Sequence, residues 1–160
     1  MIKNHKPHKV KRTSGIPSFP KADKRLLGTW KSDRNRTFRE WSWAKKLSPL
    51  KKKRFQAIFG KLEITYTRTK VISTLRHQKW AQTRRYVVAA TDETSVAIVQ
   101  YGRTEIKNRL RYDAENLKMV ADLFGSKPDI QHIHFDKKHY WISLGNGRNR
   151  EFFRKIRNRN

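Results

Sequence analysis

Residues 61–67 read Lys-Leu-Glu-Ile-Thr-Tyr-Thr, and this stretch decides the fold class because apolar and polar side chains alternate along it. A period of two places Leu62, Ile64 and Tyr66 on one face of an extended chain and the polar side chains on the other. Ile, Thr and Tyr are also enriched in strands. The stretch therefore predicts a β-strand with one buried face.

Similar segments follow downstream. Strands are predicted at residues 70–76, 82–91, 95–101, 130–135 and 139–144. The junctions Asp92-Glu93-Thr94 and Asp136-Lys137-Lys138 are short enough for hairpin turns, and the Asn-Gly pair within residues 145–149 is typical of another. Antiparallel pairing of successive strands follows. The pattern of residues 103–129 leaves open a further strand with a short helix or a turn ending at Gly125.

One helix is predicted upstream, over residues 49–59. Ser48 and Pro49 suit the N-cap and the first helical position, and Gly60 suits the C-terminal end. Residues 34–44 do not distinguish helix from strand, because their aromatic side chains fit neither period well.

Residues 26–33, Leu-Leu-Gly-Thr-Trp-Lys-Ser-Asp, predict a first short strand ending in a turn. The fold class is then mainly β (α+β): an antiparallel up-and-down β-barrel or strongly curved meander with one inserted helix near residues 49–59. Three segments are expected: a basic disordered tail at 1–25, a single β-rich domain at 26–156 and a basic C-terminal end at 157–160. The tail carries 8 Lys or Arg against one Asp and has no apolar period.

Gly28-Thr29-Trp30 on the first strand, together with the strand order, resembles the lipocalin-like (calycin) barrels over residues 26–156. The resemblance implies that Trp30 closes the barrel floor, that Gly28 allows close chain passage, and that a late Arg, mapped to Arg154, stacks across the tryptophan. The helix after the first strand departs from the family order. The resemblance also implies a lumen for a small apolar ligand. The alternative, favoured by the low apolar content, is a core filled by Leu62, Ile64, Tyr66, Val88, Ile98, Ile133 and Tyr140.

Charge is the strongest functional signal. The 160 residues include 39 Lys plus Arg against 13 Asp plus Glu, which gives a formal net charge of +26. Such self-repulsion points to a polyanionic partner. The absence of cysteine excludes disulfides, thiolate metal sites and cysteine nucleophiles. The sequence shows neither an apolar run of membrane-spanning length nor a secretory signal, so a soluble cytoplasmic protein is expected, with a mitochondrial presequence as the alternative.

Clusters of cations recur among aromatic residues, a mixture that suits phosphates and unpaired bases. The interleaved aromatics are Trp41, Trp43, Phe55, Trp80, Phe152 and Phe153. The predicted nucleic-acid-binding residues are Lys45, Lys46, Lys51, Lys52, Lys53, Arg54, Arg84, Arg85, Arg148, Arg150, Arg154, Lys155 and Arg157.

Other groups of residues give weaker functional signals. His132 and His134 share one strand face, but a third metal ligand is lacking, so surface or structural roles are favoured over a metal site. Glu63 and Glu151 lie among cations and are interpreted as surface ion pairs. The Gly-x-Gly at residues 145–147 does not lead into a helix, which argues against a phosphate loop. No catalytic residues, metal or cofactor are assigned.

The leading hypothesis is therefore a non-catalytic nucleic-acid-binding protein. RNA is favoured, in particular structured RNA of a particle such as a ribosome, where other proteins would be neighbours. A lipocalin-like carrier of a small apolar or anionic ligand is the alternative. An enzyme acting on nucleic acid is the third hypothesis.

Overall fold

A computed structural model describes residues 22–116, 118, 130–145, 147 and 149–156. Its strands are β1 (Gly28–Ser32), β2 (Glu63–Tyr66), β3 (Lys70–Leu75), β4 (Trp80–Thr91), β5 (Ser95–Lys107), β6 (Ile130–Asp136), β7 (His139–Leu144) and β8 (Asn149–Ile156). Each strand pairs antiparallel with the next, and β8 pairs back onto β1 to close an eight-stranded barrel. The mainly β, up-and-down architecture is thus confirmed. It is compatible with a lipocalin-like barrel.

The barrel interior is filled by side chains that alternate along the strands. The inner cluster, whose members are at most 5% exposed, comprises Leu26, Trp30, Ile64, Tyr66, Val71, Tyr86, Val88, Val96, Ile98, Ile133, Tyr140 and Phe153. Leu62 is partly buried and packs against it. The residues predicted for a filled core therefore lie inside the barrel, because alternate side chains of a strand point to the same face.

Helical segments connect β1 to β2. They are α1 (Arg34–Glu40), a short 3₁₀ helix (Ser42–Lys46) and α2 (Pro49–Ile58). Helix α1 lies against β8. The hydroxyl of Ser48 accepts a hydrogen bond from the Lys51 N–H, which confirms the predicted N-cap. Apolar side chains of this connection pack with Leu144 of β7 in a second core; they are Trp41, Ala44, Phe55, Ile58 and Phe59. The stretch left undecided between helix and strand is therefore helical.

Strand β5 extends beyond the predicted end at residue 101 and runs to Lys107. Irregularities in its pairing with β4 fall between Thr83 and Arg85 and between Val88 and Ala90. On its other side, β6 pairs with Ser95–Val99, so within the described residues the distal part of β5 has a ladder partner on one side alone. Of the interval 103–129, residues 117 and 119–129, including the predicted end at Gly125, lie outside the described residues.

Trp30 is buried in the inner cluster, and its expected role at the barrel floor stays a prediction. Its indole Nε1 donates to the Leu26 carbonyl at 2.8 Å, and its ring packs edge-on against Tyr140. The cation over the ring is Lys155, whose Nζ lies 5.3 Å from the ring centroid. The mapping of this role to Arg154 is wrong, because Lys155 is the direct strand partner of Trp30 and neighbouring residues of a strand face opposite sides.

The expected tail boundary at residue 25 falls inside a docked segment. The Arg25 guanidinium donates to the Glu93 and Ser95 carbonyls and to the Thr91 hydroxyl, and it pairs with Asp23. These bonds attach residues 23–25 to the β4–β5 turn. Residues 1–21 and 157–160 lie outside the described residues, so the disorder predicted for the N-terminal tail stays a prediction.

Candidate functional site

A cationic concavity of about 560 Å³ lies between α1 and the outer face of the barrel. We call it the α1 groove. It is lined by Lys31, Ser32, Asp33, Arg34, Asn35, Arg36, Arg39, Phe59, Gly60, Lys61, His139 and Arg154. The pairing of β1 with β8 sets Lys31 directly beside Arg154, and the pairing of β7 with β8 sets His139 beside Arg154. Strands β1 and β8, helix α1 and the link between α2 and β2 therefore bring the Lys and Arg side chains of the groove together.

Asp33 fixes the start of α1 at the edge of the groove. Its Oδ1 accepts from the Arg36 N–H at 3.0 Å, and its Oδ2 lies 3.2 Å from His139 Nε2. Partial burial by itself raises the pKa of Asp33, but the hydrogen bonds from Arg36 and His139 and the charge of Arg154 lower the pKa overall. The carboxylate is therefore ionised at neutral pH and orients both the helix and the histidine.

Gly60 allows the chain after α2 to pass against α1. It has a φ of +83°, and a Cβ at this position would lie 2.9 Å from the Arg34 Cβ. The Gly60 N–H donates to the Ser32 hydroxyl at 3.0 Å, and that hydroxyl donates to Glu151 Oε1 at 2.6 Å. This chain of bonds holds the neighbouring Lys61 at the groove. It also corrects the expectation for Glu151, which is 1% exposed inside the barrel.

The groove contains far more positive than negative charge. Six Lys and Arg side chains line it against the single carboxylate of Asp33. Lys31 pairs with Glu63 at 3.6 Å, and Arg36 contacts Glu40 and Asp136 at 3.4 and 3.5 Å. Within the described part of the chain, the other four cations form no ion pair; they are Arg34, Arg39, Lys61 and Arg154. Four cations are thus available to an anionic ligand.

A second concavity of about 220 Å³ lies on the outside of β3, β4 and β5. We call it the Tyr101 patch. Its lining is Lys70, Thr83, Arg84, Arg85, Tyr101, Gly102, Arg103 and Glu105. The register aligns Lys70 with Arg85 and Arg85 with Tyr101, so these three side chains form a row across three strands. All three are exposed.

The predicted binding residues fall into separate groups. Arg154 lines the α1 groove, and Arg84 and Arg85 line the Tyr101 patch. The exposed lysines of the helical segments line neither concavity, so their role stays a prediction; they are Lys45, Lys46, Lys51, Lys52 and Lys53. Arg54 forms an ion pair with Glu115. Arg148 and Arg157 lie outside the described residues.

The aromatic side chains that the sequence suggested for base stacking are mostly buried, so that prediction is largely wrong. Five of the six aromatics named for base stacking are buried: Trp41, Phe55, Trp80, Phe152 and Phe153. The side chain of the sixth, Trp43, lies outside the described part. Trp41 and Phe55 belong to the second core and Phe153 to the inner cluster. Trp80 and Phe152 are also buried, so none of these five rings can stack on a base.

His134, Trp141 and Arg150 form a stack on the outer face of β6, β7 and β8. The imidazole lies parallel to the indole at a centroid distance of 4.0 Å, and the Arg150 guanidinium lies 4.1 Å from the same ring. Two groups this close to one centroid occupy opposite faces, so both faces of Trp141 are covered. Partial burial, with the nearby charges of His132 and Arg150, lowers the pKa of His134.

The groove cations on β1, α1 and the α2–β2 link were missed from the sequence. They are Lys31, Arg34, Arg36, Arg39 and Lys61, with His139 beside them. A usable signal was Asp33, since an Asp at an N-cap would have assigned residues 34–40 to a helix and placed Arg36 and Arg39 on one side of it.

Comparison with protein-family models, curated proteins and solved structures finds no match for this chain. In the described part of the chain, no three His, Cys, Asp or Glu residues converge as metal ligands would. Among the same residues, no helix is both long enough and apolar enough to span a membrane.

Proposed function

We propose that this chain is a non-catalytic RNA-binding protein and that the α1 groove holds backbone phosphates. The observation that carries the proposal is the convergence of Arg34, Arg39, Lys61 and Arg154, none of them in an ion pair within the described residues, in one concavity. Phosphate neutralisation by Lys and Arg supplies most of the affinity of nucleic-acid-binding proteins. A groove between a helix and a barrel wall presents such cations from two sides.

The whole chain supports the same partner. A net charge of +26 favours a polyanion over an uncharged ligand. Structured RNA in a particle such as a ribosome, with other proteins of that particle nearby, is the partner we propose, in the cytoplasm or in mitochondria. We also propose that the barrel is related to the lipocalin-like family through Gly28 and Trp30. The packed interior of the barrel makes a carrier of small apolar ligands the weaker alternative.

The test is a salt titration of RNA binding by a variant that removes two groove cations, Arg39→Gln with Arg154→Gln. Both side chains are exposed, so the fold is expected to persist. Loss of two phosphate contacts reduces the slope of log K against log salt by about 1.4 to 1.8. At about 0.1 M salt, affinity then falls roughly 25- to 60-fold. Fluorescence anisotropy with a labelled structured RNA measures both quantities.

A charge-matched control is Arg109→Gln with Arg111→Gln. These exposed residues follow β5 and line neither concavity. We expect the control to change the slope by less than half as much. Equal effects of the two double variants would contradict a role for the groove, and binding that ignores salt would contradict the proposed function itself.

A further inference from the structure

The Tyr101 patch differs from the α1 groove in one respect: it contains an exposed aromatic ring. Of the Phe, Trp and Tyr side chains that the structure describes, Tyr101 alone is exposed, at 44%. Among the described residues, no hydrogen bond, ring stack or cation–π contact involves the Tyr101 side chain. A large flat ring held open to solvent within a cationic concavity has the composition of a nucleotide site.

The β4–β5 pairing explains why the ring stands where it does. Between the pairs Thr83–Glu105 and Arg85–Tyr101, the register shifts, so that residues 102–104 oppose Arg84 alone. Gly102 takes up the bulge with a φ of +76°. Bulges bend a strand and redirect its side chains. Here the bulge brings Arg103 to the same concavity as Tyr101 and Arg85.

The charges beside the ring suit a phosphodiester. Arg85 and Lys70 are exposed and lie beside Tyr101 on the next two strands. Neighbouring strands of a sheet are about 4.8 Å apart. Arg103 adds a further cation, and Glu105 is the one carboxylate of the lining. The row therefore offers a stacking face at one end and phosphate ligands within a nucleotide's reach.

We propose that the Tyr101 patch binds an unpaired RNA nucleotide, with the base stacked on Tyr101 and the adjoining phosphates on Arg85 and Lys70. The inference rests on the proposed RNA-binding function and adds a specificity to it. Bases in a duplex are stacked on one another and do not offer a face, so the patch discriminates single-stranded from double-stranded RNA.

The experiment compares two probes, a short oligouridylate and an RNA duplex of the same strand length, on the full chain. Tyr101→Ala is expected to weaken oligouridylate binding roughly tenfold, the effect of losing one stacked base. Duplex binding should change less than twofold. Tyr101→Phe should keep the affinity of the unmodified protein, because stacking needs the ring and not the hydroxyl.

The salt dependence of binding distinguishes the stacking contribution of Tyr101 from the charge contribution of Arg85. Stacking releases no counterions, so Tyr101→Ala should leave the salt slope for oligouridylate unchanged, whereas Arg85→Gln should reduce it by about 0.7. Ile106→Ala, at another exposed apolar side chain of β5, is the matched control and should change neither probe.

The possible outcomes separate this inference from the proposed function. Equal weakening of both probes by Tyr101→Ala, or no weakening of either, would overturn the nucleotide site while leaving RNA binding intact. Failure of the unmodified protein to bind either probe in a salt-dependent way would overturn the proposed function, and the nucleotide site with it.

Discussion

Among single residues, Asp92 fixes the turn between β4 and β5. Its carboxylate accepts hydrogen bonds from the Ser95 hydroxyl and N–H and from the Thr94 N–H, each at 2.7 Å. These bonds, led by that of the Ser95 side chain, lower the pKa of Asp92 from 3.8 to about 2. The turn is therefore held by an ionised group.

Asp92 predicts a specific loss of stability in acid. Because its pKa is lower in the folded state, the carboxylate stabilises that state above about pH 4, and this stabilisation disappears as the pH falls from 3.8 towards about 2. Asp92→Asn lacks this contribution. The urea midpoint of the variant should therefore depend less on pH between about 4 and 2 than that of the unmodified protein.

Glu93→Gln is the control for this comparison, since it removes the same charge from the next, exposed position of the turn. The control should retain the acid sensitivity of the unmodified protein. If Asp92→Asn and Glu93→Gln respond alike to acid, general charge repulsion and not the turn hydrogen bonds would govern this pH range.

Among the secondary-structure elements, α2 and β2 are joined by a link whose conformation requires glycine at position 60. A side chain there would require a left-handed backbone, at a cost of about 1–2 kcal/mol, and its Cβ would meet the Arg34 Cβ at 2.9 Å. Gly60→Ala should therefore lower the free energy of unfolding by more than the backbone cost alone. Urea denaturation of the variant measures the loss.

The variant Gly102→Ala separates the cost of the left-handed backbone from the cost of the contact between the added Cβ at position 60 and Arg34. Gly102 has a φ of +76° with nothing within 4 Å of its added Cβ, so its substitution should cost the backbone term alone. If the two variants lose the same free energy of unfolding, α1 moves away from the added methyl group without cost. The α1 wall of the groove would then be less rigid than its contacts indicate.

Strands and helices were predictable to different degrees. The period of two that places Ile64 and Tyr66 inside the barrel is visible in the sequence. Helix α1 was ambiguous because its one fully buried side chain, Thr37, is polar and accepts a hydrogen bond from the Phe152 N–H at 3.0 Å. No apolar stripe marks such a helix. The distal part of β5 was missed because exposed polar residues there break the alternation.

The candidate site was less predictable than the fold, because its parts come from distant positions. Lys31 and Arg154 become neighbours through the closure of β8 onto β1, which composition and spacing do not reveal. Runs such as Lys51-Lys52-Lys53 are conspicuous in the sequence, yet they lie on an exposed helix face outside both concavities. Local charge density in the sequence therefore does not indicate which cations the fold brings together in a concavity.

For the whole molecule, the N-terminal boundary can be tested by two truncations. Residues 1–21 carry six Lys or Arg and no Asp or Glu, whereas residues 22–25 include Arg25, which bonds to the β4–β5 turn. Deletion of 1–21 should leave the melting temperature unchanged, and deletion of 1–25 should lower it because the Arg25 bonds are lost. If half of the six cations contact phosphate, the first deletion reduces the salt slope of RNA binding by about 2.

The comparison of the two truncations separates folding from binding. The second deletion removes only one further net positive charge, so its salt slope should match that of the first while its stability does not. Calorimetry and anisotropy on the same preparations measure the two properties. A melting temperature that falls with the first deletion would show that residues 1–21 contribute to the folded domain. An unchanged slope would show that their charge does not meet RNA, and cations elsewhere in the chain would then account for the electrostatic attraction.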